Sequence, residues 1–275
     1  MSRSPYKLQL TKGFFADLNQ IARMLSYAIE HRGDGRIPPD AFAADMGISA
    51  SRVENLGSLA AALALIRPVV FIPTALGAVI HRYDPFLDAL GTLWLLHYLV
   101  SSNERHVVWN RLVNRVIPEN NRFSTAIARP YFNDLSRLYS EHSIGKHLRK
   151  EIGVVWNAYT AQAFRHLGYI HTQSEQIYVH GKHEPVPPHI FCAAVLLFRE
   201  RFAPGAATLD ISTLAGALNG PGRVFDLTER QVRDLLEQAE GLGYLYVETR
   251  ADLDQVRFRE DLDFLAVMRS YYEER

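Results

Sequence analysis

The chain has 275 residues, of which 48% are hydrophobic, and its 30 basic residues balance 30 acidic ones. This composition is ordinary for a globular protein, and it excludes a disordered, collagen-like or disulfide-rich chain. The only cysteine, Cys192, cannot form an internal disulfide, and no apolar run follows the first five residues or is long enough to cross a bilayer. We therefore expect a cytoplasmic protein with no signal peptide and no membrane contact.

The charge balance hides an asymmetry along the chain. Residues 101–150 contain nine Lys/Arg and four Asp/Glu, whereas residues 226–275 contain seven Lys/Arg and thirteen Asp/Glu. Local charge steers partners even when the net charge is zero. We expect anions to favour the middle of the chain and a basic partner to favour its end. The alternative is that both runs are solvated helix faces.

The first third of the sequence predicts a helix-turn-helix. Apolar residues recur every three or four positions in its first helix. A second, short helix starts at prolines and ends at Gly47, and we expect Ala44 and Gly47 where it crosses the third helix. A strand after this pair would begin a wing, and winged helices bind either DNA or protein. The predicted elements are helices Phe14–His31, Asp40–Met46 and Ser49 or Ser51 to about Ile66, then a strand Val69–Ile72.

The middle third contains the most apolar helix. A helix that is hydrophobic nearly all round is typical of the centre of a core, and Trp94 lies within it. His97 in the same helix is expected to be a hydrogen-bonded core residue rather than a ligand. The predicted elements are helices Asp84–Val100, Arg105–Val116, Ser124–Tyr139 and about Ile144–Leu167, a turn Thr172–Glu175, and a strand Ile177–Val179.

A proline-rich linker, Lys182–Pro188, precedes the last third. Three times along the chain a long helix leads into a short strand, twice through Leu-Gly-Tyr at Leu167–Tyr169 and Leu242–Tyr244. We therefore predict a mainly α, multi-helix protein with two or three winged-helix-like units and short β-hairpins. The predicted units are residues 1–83, 84–186 and 187–275. The last contains helices His189–Phe202, Asp210–Leu218, Thr228–Gly241 and Glu260–Glu274, a loop Asn219–Arg223, and a hairpin over Leu245–Phe258 with its turn at Arg250–Asp254.

No sequence motif for catalysis or cofactor binding stands out. The chain lacks a P-loop, a dinucleotide-binding glycine motif, a nucleophile elbow and a zincin motif. His180 and His183 have a spacing that could chelate a metal, but the stretch is rich in turns, and we interpret its histidines as surface and core residues. Cys192 lies in an apolar run and is expected to be inert. We expect a non-catalytic protein without a metal or cofactor.

Three stretches resemble an uncharacterised bacterial family, the domain of unknown function 4007. They are Tyr83–Tyr98 (YDPFLDALGTLWLLHY), Met46–Ser49 leading into Asn55–Ile66, and Gly220–Phe225. The resemblance implies a phage-defence setting, near proteins of DNA phosphorothioation and other defence components. It implies no established catalytic residues.

Two hypotheses of function follow. The first is a DNA-binding subunit of a defence system, in which the first helix-turn-helix reads duplex DNA and basic residues hold phosphates. Its candidate contacts are Ser49, Ser51, Arg52, Asn55, Arg105, Arg111, Arg115, Arg122, Lys146, Arg149 and Lys150.

The second hypothesis is a scaffold whose winged helices bind other defence-system proteins. The neutral isoelectric point near 7.2 and the acidic end of the chain support it. A homo-oligomer is compatible with both hypotheses.

Overall fold

The chain divides into two units, Met1–Glu184 and Pro185–Arg275, in a computed structural model that describes residues 6–31, 38–68, 70–250 and 253–275. Each unit is mainly helical and carries one antiparallel sheet of three short strands. The mainly α class and the short β-hairpins are therefore confirmed. The finer division of the first unit at residue 83 stays a prediction. Within the described ranges, none of the helices combines the length and hydropathy that a bilayer crossing requires.

The first unit contains most of the helices. They are α1 (Leu18–Glu30), α2 (Pro39–Met46), α3 (Ala50–Ala62), α4 (Ala75–Tyr83), α5 (Leu90–Ser101), α6 (Val107–Arg111), α7 (Ile117–Glu119), α8 (Thr125–Ala128) and α9 (Glu141–Thr160). A π-helical turn, Leu112–Val116, joins α6 to α7, and 3-10 helices cover Arg129–Arg137 and Arg165–Leu167. The sheet has the order β1-β3-β2, with β1 (Arg122–Phe123), β2 (Ile170–Ser174) and β3 (Ile177–His180).

The predicted break between the second and third helices is confirmed. Gly47 ends α2 in the left-handed conformation, with φ of 66°, and Ser49 caps α3 by accepting a hydrogen bond from the amide of Arg52 (3.3 Å). Phe42 and Met46 bury the inner face of α2, whereas Ala44 is exposed. Placing Ala44 at the helix crossing was therefore wrong.

The strand predicted over residues 69–72 is wrong for its described part. Residues 70–72 are not a strand, and Val69 lies outside the described residues. An isolated bridge joins Ile66 to Pro73, and Phe71 has a positive φ of 57°. The Phe71 ring lies so close to Gly57 of α3 that a Cβ there would come within 2.3 Å of it. Packing of this ring against α3 thus replaces a regular strand.

The apolar helix is buried as expected but starts later than predicted. Trp94 in α5 is 0% exposed. The helix begins at Leu90 rather than at Asp84, because the Asp84 carboxylate accepts hydrogen bonds from the amides of Asp88 (3.2 Å) and Ala89 (3.0 Å) and holds a loop. Phe86 in this loop is 71% exposed, so this end of the stretch predicted as a buried helix lies at the surface.

His97 of α5 belongs to a buried polar group, as predicted. Its Nδ1 lies 2.6 Å from the hydroxyl of Tyr159 in α9, and Trp109 donates to the same hydroxyl at 3.0 Å. All three side chains are almost fully buried. The group therefore fixes α9 against α5 and α6 and sets the inward side of α9.

The second unit follows the order helix, strand, helices, hairpin, helix. Its elements are α10 (Pro188–Phe202), β4 (Thr208–Asp210), α11 (Ile211–Gly216), α12 (Pro221–Val224), α13 (Glu229–Gly241), β5 (Leu245–Arg250), β6 (Leu253–Phe258) and α14 (Phe264–Glu273). The strands have the order β4-β6-β5. Thr228 and Gln231 form a capping box at the start of α13.

Four local predictions for loops, turns and the last helix need correction. The predicted loop from Asn219 to Arg223 contains α12, and the last helix starts at Phe264 because Asp263 caps it. Residues Thr172–Ser174 are strand rather than turn. In the turn predicted over 250–254, residues 251 and 252 lie outside the described residues, and the other three belong to strands.

Candidate nucleic-acid interface

The first half of α9 presents three cations on one side. Ser140 caps the helix, and residues at helical spacing from Leu148 onward bury its inner side. Lys146, Arg149 and Lys150 are exposed, and their spacing of three and four residues places them on the same side of the helix. We call these three residues the α9 basic face.

These three cations have no acidic partner. In the ranges that the structure describes, no carboxylate lies within 4.0 Å of the charged nitrogens of Lys146, Arg149 or Lys150. Lys150 passes near Gly13 of the segment before α1, where an added Cβ would lie 3.9 Å from its Cδ. The charge of this face is therefore available to an external anion.

Free helix amides do not contribute at this site. The helix predicted from about Ile144 starts at Glu141, so Lys146 follows after more than one turn. Free amides and the helix dipole act within the first turn. An anion at the basic face would thus meet side chains only.

Arg111 is committed to an internal contact. Its guanidinium forms a bidentate ion pair with Asp134, with one N–O distance of 2.8 Å, and donates to the carbonyl of Tyr131 at 2.7 Å. The hydrogen bond from Arg111 holds the pKa of the Asp134 carboxyl below its usual value. The π-helical turn that follows Arg111 contains Arg115, so the two residues do not have α-helical spacing. We therefore remove Arg111 from the candidate interface.

The other predicted phosphate contacts lie on separate elements. Arg105 precedes α6, Arg115 lies in the π-helical turn and Arg122 lies in β1. All three side chains are exposed. They remain candidates, but α9 alone brings three cations onto one short stretch of surface.

The candidates in the predicted helix-turn-helix, on and next to α3, have mixed positions. Ser49 and Ser51 are exposed, and Ser49 already caps α3. Arg52 donates to the side chain of Gln20 (3.1 Å) and lies over the Phe14 ring. Asn55 is 2% exposed and faces the core. Since a buried amide cannot reach a base edge, Asn55 does not belong to an interface.

Sequence reasoning missed two features near the basic face. Glu151, the next residue in α9, is buried and accepts hydrogen bonds through Oε1 from the amides of Leu10 (2.8 Å) and Thr11 (3.3 Å). Arg129 lines a cavity together with Arg149. In the sequence, Glu151 is visible only as an acid among apolar residues of a helix, and its hydrogen-bond partners lie about 140 residues away.

The histidines near the hairpin of the first unit do not form a metal site. His180 Nε2 lies 3.1 Å from the carbonyl of Asn120, and His183 Nδ1 lies 3.0 Å from that of Glu184. Across the described residues, no three His, Cys, Asp or Glu side chains come together to hold a metal. Burial raises the pKa of Cys192 to about 12, as expected for an inert thiol.

The two units differ in charge. Residues 1–184 contain twenty Lys/Arg and fifteen Asp/Glu, and residues 185–275 contain ten and fifteen. Fold and charge together define a mainly helical protein with one basic and one acidic unit.

Comparison with known proteins places the chain in a family. The chain belongs to the family described as Protein of unknown function (DUF4007), whose model matches residues 60–272. Two crystal structures of SspB, one of them bound to a magnesium ion, have the same fold, with a TM-score of 0.76. The identity is 18%, and the similarity covers 96% of this chain and 87% of the SspB chain. No curated protein gives a significant sequence match.

Proposed function

We propose that this protein is a non-catalytic DNA-binding subunit of a bacterial anti-phage defence system. The α9 basic face would hold the phosphates of duplex DNA. The observation that carries the proposal is the set of three exposed cations, Lys146, Arg149 and Lys150, whose charged nitrogens have no carboxylate within 4.0 Å among the described residues. Cations without internal partners can replace the counterions of DNA, and this replacement supplies most of non-specific binding.

The dimensions of the face fit a phosphate backbone. Lys146 and Lys150 are four residues apart, which is about 6 Å along a helix axis. Duplex DNA carries one phosphate on each strand for about every 3.4 Å of its helix axis. With α9 parallel to that axis, the face would span about two phosphate steps, and contacts of this kind position a protein on DNA without reading its sequence.

The defence setting rests on the family to which the chain belongs. The resemblance implies gene neighbourhoods of phage defence and DNA phosphorothioation, so other proteins of such a system are the proposed partners. The magnesium ion is a property of the SspB crystal structure, and our proposal assigns no metal to this chain.

A second candidate function is suggested by the second unit. Its order of α10, β4, α11, α13, β5 and β6, with the sheet order β4-β6-β5, supports a winged-helix unit. The helix before the hairpin would then be the recognition helix. That helix is α13, and it exposes four acidic residues. The guanidinium of its Arg233 forms an ion pair with the carboxylate of Asp254, with an N–O distance of 2.7 Å. Because carboxylates repel phosphates, this unit favours contact with a protein, as an adaptor would make.

Charge reversal on α9 tests the first proposal. We expect Lys146→Glu together with Lys150→Glu to weaken binding to several unrelated duplexes by a similar factor, since phosphates are common to all of them. The matched control is Arg23→Glu with Arg67→Glu, two exposed cations of the same unit outside the candidate interface. Both variants change the net charge equally. Equal affinities of the two double variants would contradict the proposal, and no binding by the wild type at low salt would favour the adaptor.

A further inference from the structure

One cavity of the first unit has two arginines in its wall. Arg129, the first residue of a 3-10 helix, and Arg149 of the α9 basic face line a space of about 420 Å³. The cavity lies between α8, α9 and the tip of the β2–β3 hairpin. The remaining lining residues are Thr125, Ala126, Ile144, Gly145, Leu148, Ile152 and Gln176.

The charge of this cavity has one sign. None of its lining residues is acidic, and neither arginine has a carboxylate within 4.0 Å in the described parts of the chain. Three other cavities of the described residues each contain at least one carboxylate beside their cations: Asp17 and Asp88 in one, Glu30 and Asp45 in the next, and Glu200 and Asp263 in the third. The Arg129–Arg149 cavity is therefore suited to an anion, and arginine binds phosphate oxygens with paired N–H donors.

The rest of the cavity suits a ligand with a larger body. Leu148 is 3% exposed and Ile152 is 1% exposed, so they form an apolar floor, which Ile144 and Ala126 extend. A volume of about 420 Å³ lies within the range of small-molecule sites, which is about 300–1,000 Å³. A free phosphate would leave most of this space and the apolar floor unused.

The hairpin tip adds a polar group to the same cavity. Gln176 lies at the turn between β2 and β3, where its backbone has a positive φ of 62°. Its side-chain amide can both donate and accept hydrogen bonds, as the edge of a nucleobase requires. Cations, an apolar floor and one amide thus line a single space.

We propose that this cavity binds one nucleotide through its phosphate. The phosphate lies against Arg129 and Arg149, the sugar and base lie on Leu148 and Ile152, and Gln176 contacts the base edge. The inference deepens the proposed DNA binding and rests on it, since Arg149 belongs to both surfaces. The nucleotide is either free or the phosphorylated end of a strand, and both sources share this chemistry.

Calorimetric titration of the full-length protein tests the inference. Thymidine 5′-monophosphate should bind saturably and thymidine much more weakly. Arg129→Gln and Arg149→Gln should each weaken the nucleotide by about ten- to a hundredfold, because each removes a charge-assisted hydrogen bond. Arg137→Gln is the matched control, since Arg137 is exposed in the same 3-10 helix but does not line the cavity. Circular dichroism checks that each variant is folded.

Each outcome of these titrations supports or overturns nucleotide binding in the cavity. Nucleotide binding that survives both arginine substitutions, or that falls equally in Arg137→Gln, overturns the inference, as does equal affinity for thymidine and its monophosphate. A strand with a 5′-phosphate that competes better than its 5′-hydroxyl form identifies a strand end, and equal competition identifies the free nucleotide. Duplex DNA binding, measured on the same preparations, distinguishes the inference from the proposed function. If the protein binds duplex DNA but not the nucleotide, only the inference fails. If it binds the nucleotide but not duplex DNA, only the proposed function fails.

Discussion

The stability of the fold should depend on pH through one buried carboxyl group. Glu151 in α9 is 2% exposed and accepts hydrogen bonds from the amides of Leu10 and Thr11. It thereby ties the segment before α1 to the helix that carries the basic face. Tyr139 supports the same segment by donating to the carbonyl of Tyr6 at 2.5 Å.

Burial raises the pKa of Glu151 from 4.5 to about 7, although the two amide hydrogen bonds act in the opposite direction. Between these values the folded protein binds a proton that the unfolded chain has released. The contribution of Glu151 to stability is therefore fully present below pH 4.5 and is lost as the pH rises through 7. A shift of this size corresponds to about 3 kcal/mol in the free energy of unfolding.

Urea denaturation across this pH range measures the effect, and Glu151→Gln isolates it from other titrating groups. The glutamine keeps an acceptor for the two amides and cannot ionise. We expect the free energy of unfolding of the wild type to fall by about 3 kcal/mol relative to that of Glu151→Gln as the pH rises. Glu141→Gln, at an exposed position in the same helix, is the matched control. A difference between wild type and Glu151→Gln that stays constant with pH would refute the reasoning.

Substitutions at three further positions probe the packing and turns of the first unit. Trp94→Ala should lower the free energy of unfolding by about 3–5 kcal/mol, as for other large core aromatics, and a loss below about 1 kcal/mol would contradict the central position of α5. Gly47→Ala should cost about 1 kcal/mol through its φ of 66° alone, since no described atom other than those of its chain neighbours lies within 4 Å of the added Cβ. Gly47→Asn should cost less, and equal costs would argue against backbone strain. Gly77→Ala should lower the melting temperature more than Gly47→Ala, because its Cβ would lie 2.1 Å from the carbonyl oxygen of Leu65, and the reverse order would contradict this close approach.

Local signals were sufficient for several elements. The capping residues at Ser49 and Thr228, the glycine at position 47 and the apolar run around Trp94 each act within a few neighbours. A cap or a left-handed glycine satisfies backbone groups nearby, so its effect survives in the fold. The helix break after α2 and the start of α13 could therefore be predicted from the sequence.

Several errors came from contacts between distant parts of the chain. Residues 70–72 have the composition of a strand, yet the Phe71 ring packs on Gly57 instead. Asn55 and Arg111 are polar residues that the sequence suggested for an interface. Burial removes Asn55 from the candidate interface, and the ion pair with Asp134 removes Arg111. Gly57 and Asp134 do not lie at a helical spacing from Phe71 and Arg111, so sequence patterns could not identify these contacts.

The salt dependence of duplex DNA binding tests the central claim most directly. If Lys146, Arg149 and Lys150 each neutralise one phosphate, log K for the wild type should fall with log salt with a slope of at least about −2.7. The variant with Lys146→Glu and Lys150→Glu should have a slope about two units flatter than that of the wild type. A wild-type slope near zero, or the same slope in both proteins, would contradict a phosphate-binding face on α9.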